Sequence, residues 1–356
     1  MSSAFKWGIL AVASAAILGF GLLSSPGGPS PASGCGSTRS IASPDSVASL
    51  EFVELGGMPQ WILVRGQDRS NPVLLWLHGG PGTAEMPIVP RLLGRLEERF
   101  VVVHWDQRGA GKSNPRDFDE STMTFERFLR DAHELTQALK ARFGADSIYL
   151  VGTSWGTQLG AHLVHRWPED YTAYVAVGQV VNSTRAERLG RDWLLERAVE
   201  TGNPSEIRRI ETLGPAPYLD HGAYVRYAKT IESYGGGMDL SILRLLPIAL
   251  LAPEYCVADY IAWFNGSSRG SGPMWDEVHP NDLFADVPRL DVPVFFLSGE
   301  RDMNTPVELV LEYFDALDAP RGKRLIVFDD AAHTPHLSQP DAFCDVLLEI
   351  LDEVSP

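Results

Sequence analysis

The chain of 356 residues is long enough for one large α/β domain with an insertion, or for two average domains. Hydrophobic residues make up 44% and charged residues 21%, which excludes a disordered or collagen-like chain, and no period of 20–50 residues points to a repeat array. Lys and Arg number 30 against 46 Asp and Glu, and the resulting net charge of −16 repels nucleic-acid phosphates.

At the N-terminus, residues 7–23 form an uncharged, mainly apolar run behind Lys6 and ahead of Ser24-Ser25-Pro26-Gly27-Gly28-Pro29. That is the layout of a signal peptide or signal anchor, at the lower length limit for spanning a bilayer. The lone Lys6 favours an N-terminus kept inside and a body exported. The expected location is therefore extracytoplasmic, with residues 1–23 either anchoring the protein in the membrane or removed on secretion. Ala32-Ser33-Gly34-Cys35 resembles a bacterial lipoprotein cleavage box, but it lies well past the apolar run and lacks a large aliphatic residue at Ala32. Residues 24–46 are expected to form a flexible linker, with the folded body starting near Val47.

Two short strand patterns at 50–55 and 61–65 flank Gly56-Gly57 and predict a hairpin. Continuous apolar runs at 73–78, 100–105, 147–151 and 172–177 read as buried parallel strands, and the pattern returns at 292–297 and 324–328. A helical pattern fills 122–143, with Thr122 or Thr124 as cap, and another fills 342–354. This alternation implies an α/β fold whose mostly parallel sheet is covered by helices on both faces. Between 180 and 288 the strand pattern gives way to helical stretches at 185–201, 205–213, 223–233 and 240–251. We read residues 180–288 as a helical cap inserted into a core formed by 47–179 and 289–356. The run 243–252 is apolar all round and suits either cap core or a pocket wall. Three cysteines make no disulfide framework and match no zinc spacing; Cys256 and Cys344 read as small buried apolar residues, and no metal site is expected.

The strongest chemical signal is Gly152-Thr153-Ser154-Trp155-Gly156, set directly between a strand pattern and a helical one. Such a nucleophile elbow lets two small glycines tighten the turn and project the Ser154 hydroxyl at a helix N-terminus. A serine hydroxyl needs a base to accept its proton, and that base needs an acid to orient it. Asp302 and His333 follow in that chain order, each just beyond a strand and so at the same sheet edge as Ser154. Glu300, Asp329 and Asp330 are alternative acids, and His336 is an alternative base. His162 and His165, on the helix after the elbow, suit surface or packing roles. For the oxyanion, the backbone N–H of Trp155 and that of Gly80 in His78-Gly79-Gly80-Pro81-Gly82 are the candidate donors. The segment Asp106-Gln107-Arg108-Gly109-Ala110-Gly111-Lys112-Ser113 contains GKS but has Asp106 where a phosphate-binding loop needs glycine. We expect it instead to brace the oxyanion turn (His78, Gly79, Pro81) through charged hydrogen bonds of Asp106 and Arg108.

With HGGPG, DQRGAGKS, GTSWG, the Gly299-Glu300-Arg301-Asp302 loop and a terminal His loop in this order, the chain resembles the prolyl aminopeptidase (proline iminopeptidase) family of α/β-hydrolases over roughly residues 50–352. The resemblance implies a Ser154–His333–Asp302 hydrolase with a helical cap and no cofactor. It also implies Gly80 and Trp155 at the oxyanion hole. Family members that release N-terminal proline carry a Trp-x-x-Trp-Glu segment in the cap, and none lies between 180 and 288; Glu232 is the nearest acid and reads as a solvated helix face. Ser338 stands where the family often places an acid after the base. The expected activity is aminopeptidase action on small peptides. A carboxylesterase is the alternative, and a noncatalytic binding protein on the same scaffold is the alternative from another class. An aspartate at the elbow, as epoxide hydrolases and dehalogenases require, is absent. No nucleic-acid partner is expected, membrane attachment would run through residues 7–23, and the oligomeric state is left open.

Overall fold

The computed structural model describes residues 35–115 and 117–354; the apolar run at 7–23 and the lipoprotein-like box up to Gly34 lie outside the described residues. Eight strands form one sheet in the order β1-β2-β4-β3-β5-β6-β7-β8. They are β1 Val47–Leu55, β2 Met58–Gly66, β3 Val73–Leu77, β4 Val101–Trp105, β5 Ile148–Thr153, β6 Tyr171–Val177, β7 Val294–Gly299 and β8 Lys323–Phe328. The hairpin β1–β2 and the β2–β4 pair are antiparallel, and every pairing from β4 to β8 is parallel.

The continuous apolar runs have a direct cause. Along β3, Val73, Leu75 and Leu77 enter the core on one face of the sheet, while Leu74 and Trp76 enter the core on the other. A strand buried on both faces has no polar side to alternate with. Helix α1 (Phe125–Phe143) covers the first face with Phe128, Leu129, Ala132, Leu135 and Leu139. Thr124 caps its N-terminus by accepting from the Arg127 N–H, and Gly144 ends it in the left-handed region. Helix α2 (Trp155–Arg166) follows β5 on the same face.

Between β6 and β7 the chain forms five helices of eight or more residues, α3 Ser183–Glu200, α4 Pro204–Glu211, α5 His221–Ser233, α6 Ile242–Leu250 and α7 Val257–Val278, and a single turn at Leu283–Asp286. Helices α3 to α5 share a small core of Leu194, Ala198, Ile210, Tyr227 and Ile231. The apolar run at 243–252 is divided: Leu245 and Ala249 pack into the sheet core, whereas Leu243, Leu250 and Leu251 face outward and are exposed. Helices α8 (Val307–Ala316) and α9 (Pro340–Val354) complete the layers. No helix among the described residues is long and apolar enough to cross a membrane.

Two expectations are corrected. The part of the linker within the described residues is packed on the body: Cys35 is disulfide-bonded to Cys256, the Ser37 N–H donates to Pro253 O at 2.9 Å, and Thr38 Oγ1 donates to Glu254 Oε1 at 3.0 Å. Composition missed this because a polar Gly/Ser/Thr stretch docks by hydrogen bonds and one covalent bond rather than by an apolar face. For the same reason Cys256 is a cross-link and not a small apolar filler, while Cys344 is buried and free. Under denaturing, non-reducing conditions one thiol per chain is expected to react with a maleimide, and three after reduction. Cys256→Ser is expected to lower the unfolding free energy by about 3 kcal/mol in urea; an unchanged midpoint would contradict the cross-link.

Candidate active site

Strand β5 ends at Thr153 and α2 starts at Trp155, so Ser154 is the single residue between strand and helix. Its backbone sits at φ 50°, ψ −118°, a conformation that costs a side-chain-bearing residue about 1–3 kcal/mol. The turn is held by the Ser154 N–H donating to Val177 O on β6 at 2.9 Å and by the Thr157 N–H donating to Ser154 O at 2.8 Å. The flanking glycines are needed for closeness: a Cβ at Gly156 would lie 2.2 Å from Leu77 O, and one at Gly152 would lie 2.4 Å from Gly156 O. Helix α2 therefore rests directly on the backbones of β3 and β5.

His333 and Asp302 are brought together from the loops after β8 and β7. His333 Nδ1 lies 2.8 Å from Asp302 Oδ2. Asp302 is fully buried and accepts from the Asn304 and Thr305 N–H groups at 2.8 and 2.9 Å and from Thr305 Oγ1 at 2.6 Å. Burial works against a charged His333, but the Asp302 carboxylate outweighs it, aided by Asp239 and Glu85, and the ring's pKa stands above its ordinary 6.5. The alternative acids are elsewhere: Glu300, Asp329 and Asp330 are exposed. The alternative base His336 is buried, and its nearest carboxylate, Glu85, is 3.6 Å away. His162 packs against the Phe125 ring, and His165 Nδ1 meets Arg289 O, both on the outer side of α2.

The HGGPG turn follows β3. His78 is buried; the Gln107 N–H donates to its Nε2 at 3.2 Å, so the other nitrogen carries the proton and donates to Gly79 O at 2.7 Å. Burial pushes the His78 pKa down and keeps the ring neutral. Gln107 also donates through Nε2 to His78 O at 3.0 Å and accepts from Trp155 Nε1 at 3.0 Å. One glutamine thus ties the turn to the residue after Ser154. Neither the Gly80 nor the Trp155 backbone N–H meets an acceptor among the described residues, and both residues face the same cavity as Ser154 and His333, of about 460 Å³.

The expected bracing by Asp106 and Arg108 is not what the structure shows. Asp106 accepts from the Lys112 N–H at 2.8 Å and from the Tyr255 hydroxyl, and burial raises its pKa to about 7. Arg108 turns to the hairpin, pairing with buried Asp131 at 2.8 Å and donating to Leu55 O and Gly56 O. The counter-charge Arg108 meets is Asp131 on α1, and that pairing carries the guanidinium away from the turn. The neutral Gln107 between them, which can donate and accept at once, takes the bracing role. The sequence signal was its place in the loop, overlooked because it carries no charge. Lys112 of the GKS segment pairs with Asp259 at 2.7 Å and donates to Cys35 O at 2.8 Å.

If Ser154 is strained as its backbone shows, Ser154→Gly is expected to unfold at higher urea than Ser154→Ala, by about 1 kcal/mol, because glycine tolerates positive φ. Equal midpoints would mean that the turn stores no strain.

Comparison with known proteins identifies the family and the fold. Residues 74–346 match the model of the alpha/beta hydrolase family. A probable aminopeptidase of Bacillus subtilis, YbaC, is 33% identical over 307 residues, covering 85% of this chain and 96% of its own. A proline iminopeptidase of Heyndrickxia coagulans is 25% identical over 80% of this chain and 92% of its own. The crystal structure of a proline iminopeptidase from Mycobacterium smegmatis superposes with a TM-score of 0.64 at 22% identity, covering 86% of this chain and 98% of that one, a likeness of fold. The chain belongs to the α/β-hydrolase family.

Proposed function

We propose that the protein is a serine hydrolase working through an acyl-enzyme, and that it acts as an aminopeptidase of the proline iminopeptidase type on short peptides. The observation that carries the mechanism is the His333–Asp302 pair at 2.8 Å on the cavity that Ser154 enters from its elbow. With Nδ1 committed to Asp302, the Nε2 of His333 is the nitrogen left to take the Ser154 proton. Ser154 Oγ then attacks the carbonyl carbon, and the Gly80 and Trp155 amides receive the oxyanion. The same Nε2 returns the proton to the leaving amine, and water enters by the reverse sequence to release the acyl group. The relatives named aminopeptidase and proline iminopeptidase support the peptide substrate. The missing Trp-x-x-Trp-Glu segment favours the carboxylesterase reading instead, and one assay separates the two.

Aminoacyl and prolyl anilides are expected to be cleaved, with N-acetylated counterparts cleaved far more slowly. Ser154→Ala should lower kcat by at least about 10⁴-fold. Equal turnover of acetylated and free substrates would leave an esterase-type hydrolase, and an active Ser154→Ala would remove the serine mechanism.

His333 must be neutral to act as base, so the acid limb of kcat/KM should have its midpoint above 6.5, because Asp302 outweighs burial in favour of the charged ring. Asp302→Asn leaves burial unopposed by its main attraction. The midpoint should then move down, with kcat reduced about 10⁴-fold. A midpoint that stays in place would show that another group limits the rate.

We further propose an extracytoplasmic location, held by the segment at 7–23 or reached after its cleavage. The Cys35–Cys256 bond supports this, since such cross-links persist in oxidising compartments. Cell fractionation is expected to recover the oxidised protein in the membrane or extracytoplasmic fraction; a cytosolic, reduced protein would overturn it.

A further inference from the structure

Three glutamates line the cavity: Glu85, Glu187 and Glu232. Two of them are already accounted for. Glu187 is buried and accepts from the Tyr218 N–H at 2.6 Å and lies 3.0 Å from His279 Nε2, so both its oxygens are engaged. Glu232 is an exposed residue on α5, where water screens its charge.

Glu85 differs from both. It follows the HGGPG turn, and its side chain is only 15% exposed. Its Oε2 accepts from Trp76 Nε1 at 2.7 Å. Its Oε1 has only long neighbours, Thr153 Oγ1 at 3.3 Å and His336 Nε2 at 3.6 Å. Burial opposes its ionisation, yet His336 and Trp76 beside it hold its pKa below its ordinary 4.5, so it is a carboxylate at neutral pH. None of these neighbours is a lysine or arginine. His336 itself is 1% exposed, lines the same cavity and has both ring nitrogens unpaired. A largely buried carboxylate with no lysine or arginine against it, facing a cavity beside an imidazole that makes no hydrogen bond, is an electrostatically open position for a cation.

We propose that Glu85 is the specificity residue that receives the substrate's α-ammonium group, with His336 beside it as a hydrogen-bonding partner for the same end of the substrate. The inference rests on the aminopeptidase reading above and locates the amine site that the cap sequence does not supply. In an aminopeptidase substrate the ammonium is two bonds from the scissile carbonyl, so its anchor must lie beside the nucleophile. Glu85 meets that requirement through Thr153, the residue next to Ser154 in the chain. The site thereby lies on the core side of the cavity, on the oxyanion turn's own loop, and discriminates by charge: a free amine is drawn to a buried carboxylate, and an acetylated one leaves it unpaired.

The test compares Glu85→Gln, Glu187→Gln and Glu232→Gln in the full chain on two substrates, an aminoacyl anilide and p-nitrophenyl acetate, which has no amine. For Glu85→Gln, kcat/KM on the anilide should fall at least about 10-fold more than on the ester, mainly through KM, with partial recovery in Glu85→Asp. As a readout independent of peptidase activity, prolinamide should inhibit ester hydrolysis by the wild type, with Ki at least about 10-fold weaker in Glu85→Gln. If the wild type cleaves no anilide but Glu85→Gln still weakens prolinamide, the amine site stands and the aminopeptidase reading falls. Equal losses on anilide and ester, no prolinamide inhibition of the wild type, or an amine-selective loss confined to Glu187→Gln or Glu232→Gln would each overturn the proposal.

Discussion

The site depends on main chains approaching one another more closely than side chains permit. The carbonyls of Leu77 and His78 lie where a Cβ on Gly156 would stand, so α2 is seated on the end of β3 and carries Ser154 to the side of the HGGPG turn. On its other side the turn meets α7 in the same way: a Cβ at Gly266 would lie 2.5 Å from Gly82 O, and one at Gly270 would lie 2.5 Å from Pro81 O. The turn is thus packed between two helices, main chain against main chain. Donors fixed in this way need no rearrangement when negative charge develops in front of them, which is where preorganised amides act most strongly.

Polar groups around this contact are divided by charge. The neutral chain from His78 through Gln107 to Trp155 fixes the turn against the elbow and places no net charge behind the amides. The charged groups of the same loop point away from it. Arg108 and Asp131 tie the loop to the hairpin, and Lys112 and Asp259 tie it to the start of α7. In both of these pairs the buried ions lie within 2.8 Å of each other, which is the condition for tolerating them in the interior. A single loop therefore positions the turn with its uncharged residue and secures the surrounding elements with its charged ones.

The parallel strands were legible because each is a short continuous apolar run, and the hairpin because two short strand patterns flank Gly56-Gly57. The elbow and the two loops after β7 and β8 were legible because strand ends in a parallel sheet share an edge, which narrows the partners of Ser154 to a few residues. Helix α7 was not legible. Its segment was not among the helical stretches read from sequence, and it holds Gly266, Gly270, Gly272 and Pro273, residues with low helix propensity; two of those glycines let the helix lie on Pro81 and Gly82. Tertiary closeness outweighed local propensity, and a single sequence carries no sign of that. The docking of residues 35–46 was hidden for a related reason: it is made by a disulfide and by hydrogen bonds, among them those of Thr38 with Glu254 and Arg65 and of Cys35 O with Lys112, none of which leaves an apolar pattern.

Helix α7 matters to the site because it is the outer support of the turn, and it is fastened at both ends. At its start Cys256 is bonded to Cys35, and the Asp259 side chain accepts from the Cys256 N–H at 2.9 Å while pairing with Lys112. At its end His279 lies against Glu187 of α3, a contact that joins α7 to the cap helices. A helix rich in glycine has a weak preference for its own conformation, so these end contacts, rather than propensity, keep Gly266 and Gly270 on the turn. The N-terminal segment that composition assigns to a tether thus reaches the chemistry indirectly. Through the Cys35–Cys256 bond, and through Cys35 O accepting from the Lys112 ammonium that pairs with Asp259, it helps hold in place the helix on which the HGGPG turn rests.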